Sequence, residues 1–131
     1  MGRYLMIVLD TAAVVYAAID TAKLSLRAEQ AIIDADQIIV SSITIWEIGL
    51  KVKQGKLTLP FSVLELLDRL KQVDRVTIAP VEVNTWLKNV ELAWEHKDPA
   101  DRTIVATASL LGCPLVTPDQ RVRSFYPSTI W

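Results

Sequence analysis

Five carboxylates stand where alternating strands and helices could bring them together: Asp10, Glu47, Asp98, Asp101 and Asp119. Asp10 closes an apolar run and precedes a helical segment. Glu47 lies four residues after Ile43 and three before Leu50, on a helix face that is otherwise apolar. Asp101 is in register with Ile104, Val105, Ala108 and Leu111, and Asp119 follows the apolar pair Leu115-Val116. Carboxylates crowded into a partly dry cleft repel one another, so their pKa values rise or cations settle between them. Magnesium suits such a site because it prefers hard oxygen ligands and keeps waters that a phosphate can replace; manganese, which takes the same ligands, can substitute. One or two such ions could orient a water and stabilise charge on the leaving oxygen of a phosphodiester. That chemistry needs neither the single histidine, His96, nor the single cysteine, Cys113.

Each acid also has a purely structural reading. Asp10 and Asp98 are good helix N-caps, and Pro99 fits the first helical position. Glu47 could close a capping box over Thr44-Ile45-Trp46-Glu47. Asp119, after Pro118, fits a turn. Of the close pair, Asp98 reads as the more structural and Asp101 as the more functional, because Asp101 shares the apolar face of its helix.

The elements that must position these acids follow from pattern and punctuation. Residues 4–9 form a continuous, β-branched-rich run, the mark of a buried parallel strand, and 11–19 read as a helix. A second helix is expected over 26–35, a strand over 37–40, and a third helix from Ser41 and Ser42 to about Lys53, closed by Gly55. Leucines at 64, 67 and 70 predict an amphipathic helix over 63–73. A strand at 76–79, helices at 83–94 and 99–111, a short buried strand at 115–117 and an edge strand at 129–131 complete the chain. This alternation predicts one α/β domain over 1–131, an α/β/α sandwich around a mainly parallel sheet. Ligands of such sheets bind beyond the carboxyl ends of the strands, where Asp10 and Asp119 fall.

Composition narrows the class. The 131 residues are 51% hydrophobic and 22% charged, which fits a folded domain and excludes a disordered chain. A net charge of −1 gives no overall attraction for nucleic acid, so phosphate contacts must rest on local basic residues. One cysteine and one histidine exclude an internal disulfide and a Cys/His zinc framework, and point to a reducing compartment. Residues 4–19 are apolar behind Arg3, but Asp10 sits among them, and a charge at the centre of a spanning helix costs about 2.5–3.5 kcal/mol. The Met1-Gly2 start has Met6 where a myristoylation signal wants Ser or Thr. Neither a membrane span nor a lipid anchor is expected.

In their order and spacing, these residues resemble the PIN-domain proteins, and in detail the toxin ribonucleases of the VapC type. The marks are Leu9-Asp10-Thr11; Ser42 with Trp46-Glu47; the run from His96 through Asp98-Pro99-Ala100-Asp101-Arg102 with Ala106-Thr107-Ala108 after it; and Leu115-Val116-Thr117-Pro118-Asp119. Tyr126-Pro127 and Ile130-Trp131 resemble one branch of the family. The resemblance covers essentially the whole chain. It implies a PIN-like fold, metal-coordinating and catalytic roles for Asp10, Glu47, Asp101 and Asp119, an accessory role for Asp98, and magnesium as cofactor. It also implies a cytoplasmic endoribonuclease that dimerises and is neutralised by a small antitoxin. Asp119 is the member whose position varies within the family.

Lys51, Lys53 and Lys56, and Arg102, Arg121 and Arg123, are the basic residues near enough in sequence to hold an RNA backbone. A solvated helix face is the simpler reading of the lysines. Arg102 and Arg121, beside Asp101 and Asp119, are better placed to offset the acids or hold a phosphate. His96 reads as a loop residue, and Trp46, Trp86 and Trp94 as packing on helical apolar faces. An antitoxin helix or arm is expected across a groove formed by the first helices and residues 57–70. Two rivals remain: a housekeeping PIN-domain ribonuclease without an antitoxin, and an inactive PIN-like binding module. A receiver-like module would need a late lysine, and none follows Lys97.

Overall fold

A computed structural model describes residues 4–131; Met1-Gly2 and Arg3 lie outside the described residues. Strand β1, Met6–Leu9, leads directly into helix α1, Thr11–Ile19, and after one 3-10 turn at Thr21–Lys23 comes α2, Leu26–Asp34. Strand β2, Gln37–Ser41, runs without a loop into α3, Ser42–Lys53. Helix α4, Val63–Lys71, precedes β3, Val76–Ala79, and α5, Val83–Glu91, precedes α6, Pro99–Leu111. Strand β4, Leu115–Val116, helix α7, Gln120–Phe125, and strand β5, Thr129–Ile130, end the fold.

The five strands form one sheet in the order β3-β2-β1-β4-β5, and every pairing is parallel. Parallel neighbours need crossovers, and the helices that make them bury both faces of the sheet, so the strands are apolar on both sides. The side-chain alternation sorts them. Ile7, Leu9, Ile38, Val40 and Val116 enter one core with Val14, Ala31, Ile48 and Leu66. Val8, Ile39 and Leu115 enter the other, with Ile43, Ile104, Val105, Ala108 and Val122. The result is the expected three-layer α/β/α arrangement.

Strand order reverses around β1, which has β2 on one side and β4 on the other. Such a switch point leaves a crevice at the carboxyl ends of the two strands, because the connections from them depart in opposite directions. Asp10 and the Thr117-Pro118-Asp119 turn lie there.

Three local departures from the sequence reading have physical causes. Helix α5 ends at Glu91 and the chain then runs extended to Lys97, because Arg102 draws four carbonyls of the 89–96 segment, those of Asn89, Leu92, Trp94 and His96, onto its guanidinium. Helix α7 was not expected: it has six residues, only Val122 of them buried, too few to show a helical period. Trp46 and Trp86 do not pack inward but are 54% and 47% exposed.

Candidate active site

Asp10 caps its helix and lines the carboxylate cavity. Its backbone leaves β1 extended, and Oδ1 accepts a hydrogen bond from the Ala13 amide at 2.8 Å, capping α1. Oδ2 accepts the Thr117 hydroxyl, so β1 and β4 are tied together at their carboxyl ends. The residue is only 6% exposed. Burial pushes its carboxyl up to about 7, against the pull of the Thr117 and Ala13 hydrogen bonds, and the charges of Asp101 and Asp119 push the same way as burial.

Asp101 sits in the first turn of α6, where the helix dipole favours a negative charge. Its Oδ2 lies 2.7 Å from Nε2 of His96. Burial raises its pKa, the His96 contact lowers it, and Asp98, Asp119 and Glu47 raise it further. Asp98 caps the same helix, accepting from the Asp101 amide at 3.0 Å, with Pro99 at the first helical position. Asp119 is more than a turn residue: it caps α7, accepting from the Arg121 amide at 2.8 Å, while its own amide donates to the Thr117 hydroxyl oxygen at 3.1 Å.

Glu47 reaches the same place from α3. It forms no capping box, since that helix is capped two residues before position 43 by Ser41, whose Oγ accepts from the Ile43 amide at 3.2 Å. Its side chain is 12% exposed and lies 3.8 Å from Lys51 one turn later. A cavity of about 370 Å³ is lined by Asp10, Glu47, Asp98, Asp101 and Asp119, with Lys51, His96 and Arg121 at its walls. Carboxylates from the ends of β1 and β4 and the starts of α6 and α7 thus face one on α3.

The basic residues divide. Lys51 and Arg121 line the cavity, whereas Lys53, Lys56 and Arg123 are not among its lining residues. Arg102 does not offer its charge to the acids. Its guanidinium donates to the carbonyls of Asn89, Leu92, Trp94 and His96, and its Nε to the Asn89 side chain. It is a clamp for the extended segment that carries His96.

Two residues emerge that the sequence reading left aside. His96, taken as a loop residue, contacts Asp101 and packs against Trp94, ring centroids 4.8 Å apart. Thr117 bonds both Asp10 and Asp119; its only sequence signal was its place between a buried strand and Pro118-Asp119. Cys113 is remote from this chemistry: its thiol is buried, and burial pushes it up to about 11.

The donor set is all carboxylate oxygen apart from one imidazole already engaged with Asp101. Among the described residues, no group of three His, Cys, Asp or Glu side chains stands ready to hold a metal ion. Carboxylate oxygen is nonetheless the donor that magnesium takes, one or two directly and others through its waters. Asp10, Glu47, Asp101 and Asp119 are the residues that would hold it.

Comparison with known proteins bears on the whole chain. The PIN-domain family model matches residues 7–126. Ribonuclease VapC22 of Mycobacterium tuberculosis is 35% identical over 130 residues, which cover 95% of this chain and 98% of that protein. Among solved structures, VapBC2 from Rickettsia felis bound to a DNA fragment from their promoter superposes with a TM-score of 0.67 at 19% identity, over 95% of each chain. FitAcB from Neisseria gonorrhoeae gives 0.65 at 20% identity, again over 95% of each chain. The structural likenesses establish a shared fold.

Proposed function

The chain belongs to the PIN-domain family, and from that premise we propose that it is a metal-dependent endoribonuclease, the toxin of a type II toxin–antitoxin pair. The observation that carries this reading is the joining of Asp10, Glu47, Asp98, Asp101 and Asp119 in one cavity, in a chain related over nearly its full length to a ribonuclease.

Hydrolysis forms a bond from water oxygen to phosphorus, breaks one P–O ester bond, and passes a proton from the water to the departing oxygen. A magnesium ion in the cavity would lower the pKa of the water and stabilise the leaving oxygen. The chain's own part is to hold the acids fixed before substrate arrives. Thr117 and the Ala13 amide fix both oxygens of Asp10. His96 fixes Asp101, and the α7 amides fix Asp119. Lys51 and Arg121 supply positive charge to a phosphate entering an otherwise acidic cleft. A cytoplasmic site of action follows from an RNA substrate and suits a lone thiol. Among the described residues, no helix is long and apolar enough to cross a membrane.

Two further surfaces support the partners this reading requires. Between α1, α2 and α4 lies an apolar cavity of about 370 Å³, lined by Val14, Ala17, Ile32, Leu66 and Leu70, with Arg69 and Arg75 also on its wall. It overlaps, at Leu66 and Leu70, the 57–70 region expected to take an antitoxin helix or arm. On the other side, Trp46 of α3 faces Trp86 of α5 across a cleft with Ile43 and Val81, and Leu87 and Val90 are exposed beside them. Apolar surface of this extent suits a homodimer interface.

The test is cleavage of mixed tRNA and ribosomal RNA by purified, antitoxin-free protein in magnesium, in manganese and in EDTA. Cleavage is expected in either metal and not in EDTA, and Asp10→Asn and Asp101→Asn should each lower it about 100-fold or more. Cleavage that survives both substitutions would overturn the assignment.

A further inference from the structure

We propose that the groove between the extended segment 92–97 and α7 seats the single-stranded RNA flanking the scissile phosphate, and that Glu95, Gln120 and Ser124 select its bases. The proposal rests on the ribonuclease reading and adds to it a substrate subsite with specificity-determining residues.

The groove is a shallow depression open to solvent, and it meets the carboxylate cavity at His96 and Arg121, which line both. A strand whose phosphate lies among the acids would therefore lay its next residue here.

The walls have the chemistry for it. Lys97 and Arg121 are exposed, and neither takes part in an ion pair among the described residues, so both are free for phosphate oxygens. Glu95, Gln120 and Ser124 are exposed as well, and together they offer a carboxylate, an amide and a hydroxyl. Unpaired RNA bases are recognised by such groups on their open edges. Trp94 also lines the groove, but its ring is engaged by Phe125, stacked at 4.7 Å with planes 6° apart, and by His96 at 4.8 Å, so it shapes the wall and leaves base recognition to the polar groups.

The groove is also rigid. Segment 92–97 belongs to no helix or strand, yet Arg102 fastens its carbonyls at Leu92, Trp94 and His96. Residues 93, 95 and 97 are exposed while 94 and 96 are half-buried, the alternation of an extended chain. A wall fixed in advance spares a flexible ligand part of the ordering cost of binding.

Two measurements test this. First, a short random-sequence oligoribonucleotide pool is titrated into isotope-labelled Asp10→Asn protein in magnesium and the amide resonances are followed. Shifts are expected at Glu95, Lys97, Gln120 and Ser124, which lie outside the acidic cavity, as well as within it, and Lys97→Ala should weaken binding about threefold and lower its salt dependence. Shifts confined to the acidic cavity, shifts on another face, or none would overturn the groove. Second, Glu95→Gln, Gln120→Ala and Ser124→Ala, exposed positions that the fold does not depend on, are compared by sequencing the ends cut from a randomised RNA. A change of about fivefold or more in base preference on one side of the cut is expected. Cleavage with an unchanged preference in all three would remove the selecting role while leaving the nuclease intact. A groove footprint in a protein whose wild type cuts no RNA would keep the subsite and remove the nuclease reading.

Discussion

Asp10 joins a strand to a helix, touches Thr117, and keeps a proton to nearly neutral pH because it is buried. Its raised pKa fixes a sign. Between its ordinary value of 3.8 and about 7, the metal-free folded protein holds a proton that the unfolded chain has lost. Folding then binds more protons than unfolding, so stability is full below the lower value and is lost as pH rises through the upper one. The melting temperature of metal-free protein should fall on the order of 5 °C or more between pH 5 and pH 8. Asp10→Asn should flatten that profile. Magnesium should stabilise the wild type more at pH 8 than at pH 5, because protons and metal compete for the same oxygens. Scanning calorimetry across that range checks all three outcomes. His96 is a positioning residue whose loss should lower metal affinity or cleavage about 10–100-fold, as for other groups that orient metal ligands. His96→Gln, which keeps an N–H for Asp101, should recover part of what His96→Ala loses, and magnesium titration of both variants separates positioning from folding.

Among the elements, the segment between α5 and α6 depends on one side chain. Arg102→Lys keeps the charge but lacks the planar fork that reaches four carbonyls, so it should behave as a disruptive change. A loss of about 2–4 kcal/mol in denaturant unfolding is expected, with faster amide exchange over residues 89–97. The sequence could not announce this clamp, since Arg102 beside Asp101 looks the same whether its charge serves the acids or the backbone. It could announce the strands: Ile7-Val8-Leu9 and Ile38-Ile39-Val40 are short, apolar without alternation and rich in β-branched residues, as a doubly covered sheet requires. The caps at Asp10 and Asp98 were legible because each acid stands directly before a helical segment. Helix α7 was hidden by its length. Trp46 and Trp86 misled because a helical period marks an apolar stripe and says nothing of whether this same chain covers it.

At the scale of the whole molecule, that uncovered stripe predicts association. Trp46→Glu together with Trp86→Glu should convert a dimer to a monomer in sedimentation velocity, with little change in far-ultraviolet dichroism, since both side chains are half exposed in the single chain. A wild type that sediments as a monomer would refute it. The topology has a consequence in time as well as in space. The Asp10–Thr117 hydrogen bond joins residues 107 apart in the sequence, and β4 pairs with β1 across the same interval. A chain emerging from the ribosome presents Asp10 and Glu47 long before residues 115–119 can dock and close the crevice. The machine that makes this enzyme is itself built of RNA, and until those residues emerge it faces only an unassembled set of acids.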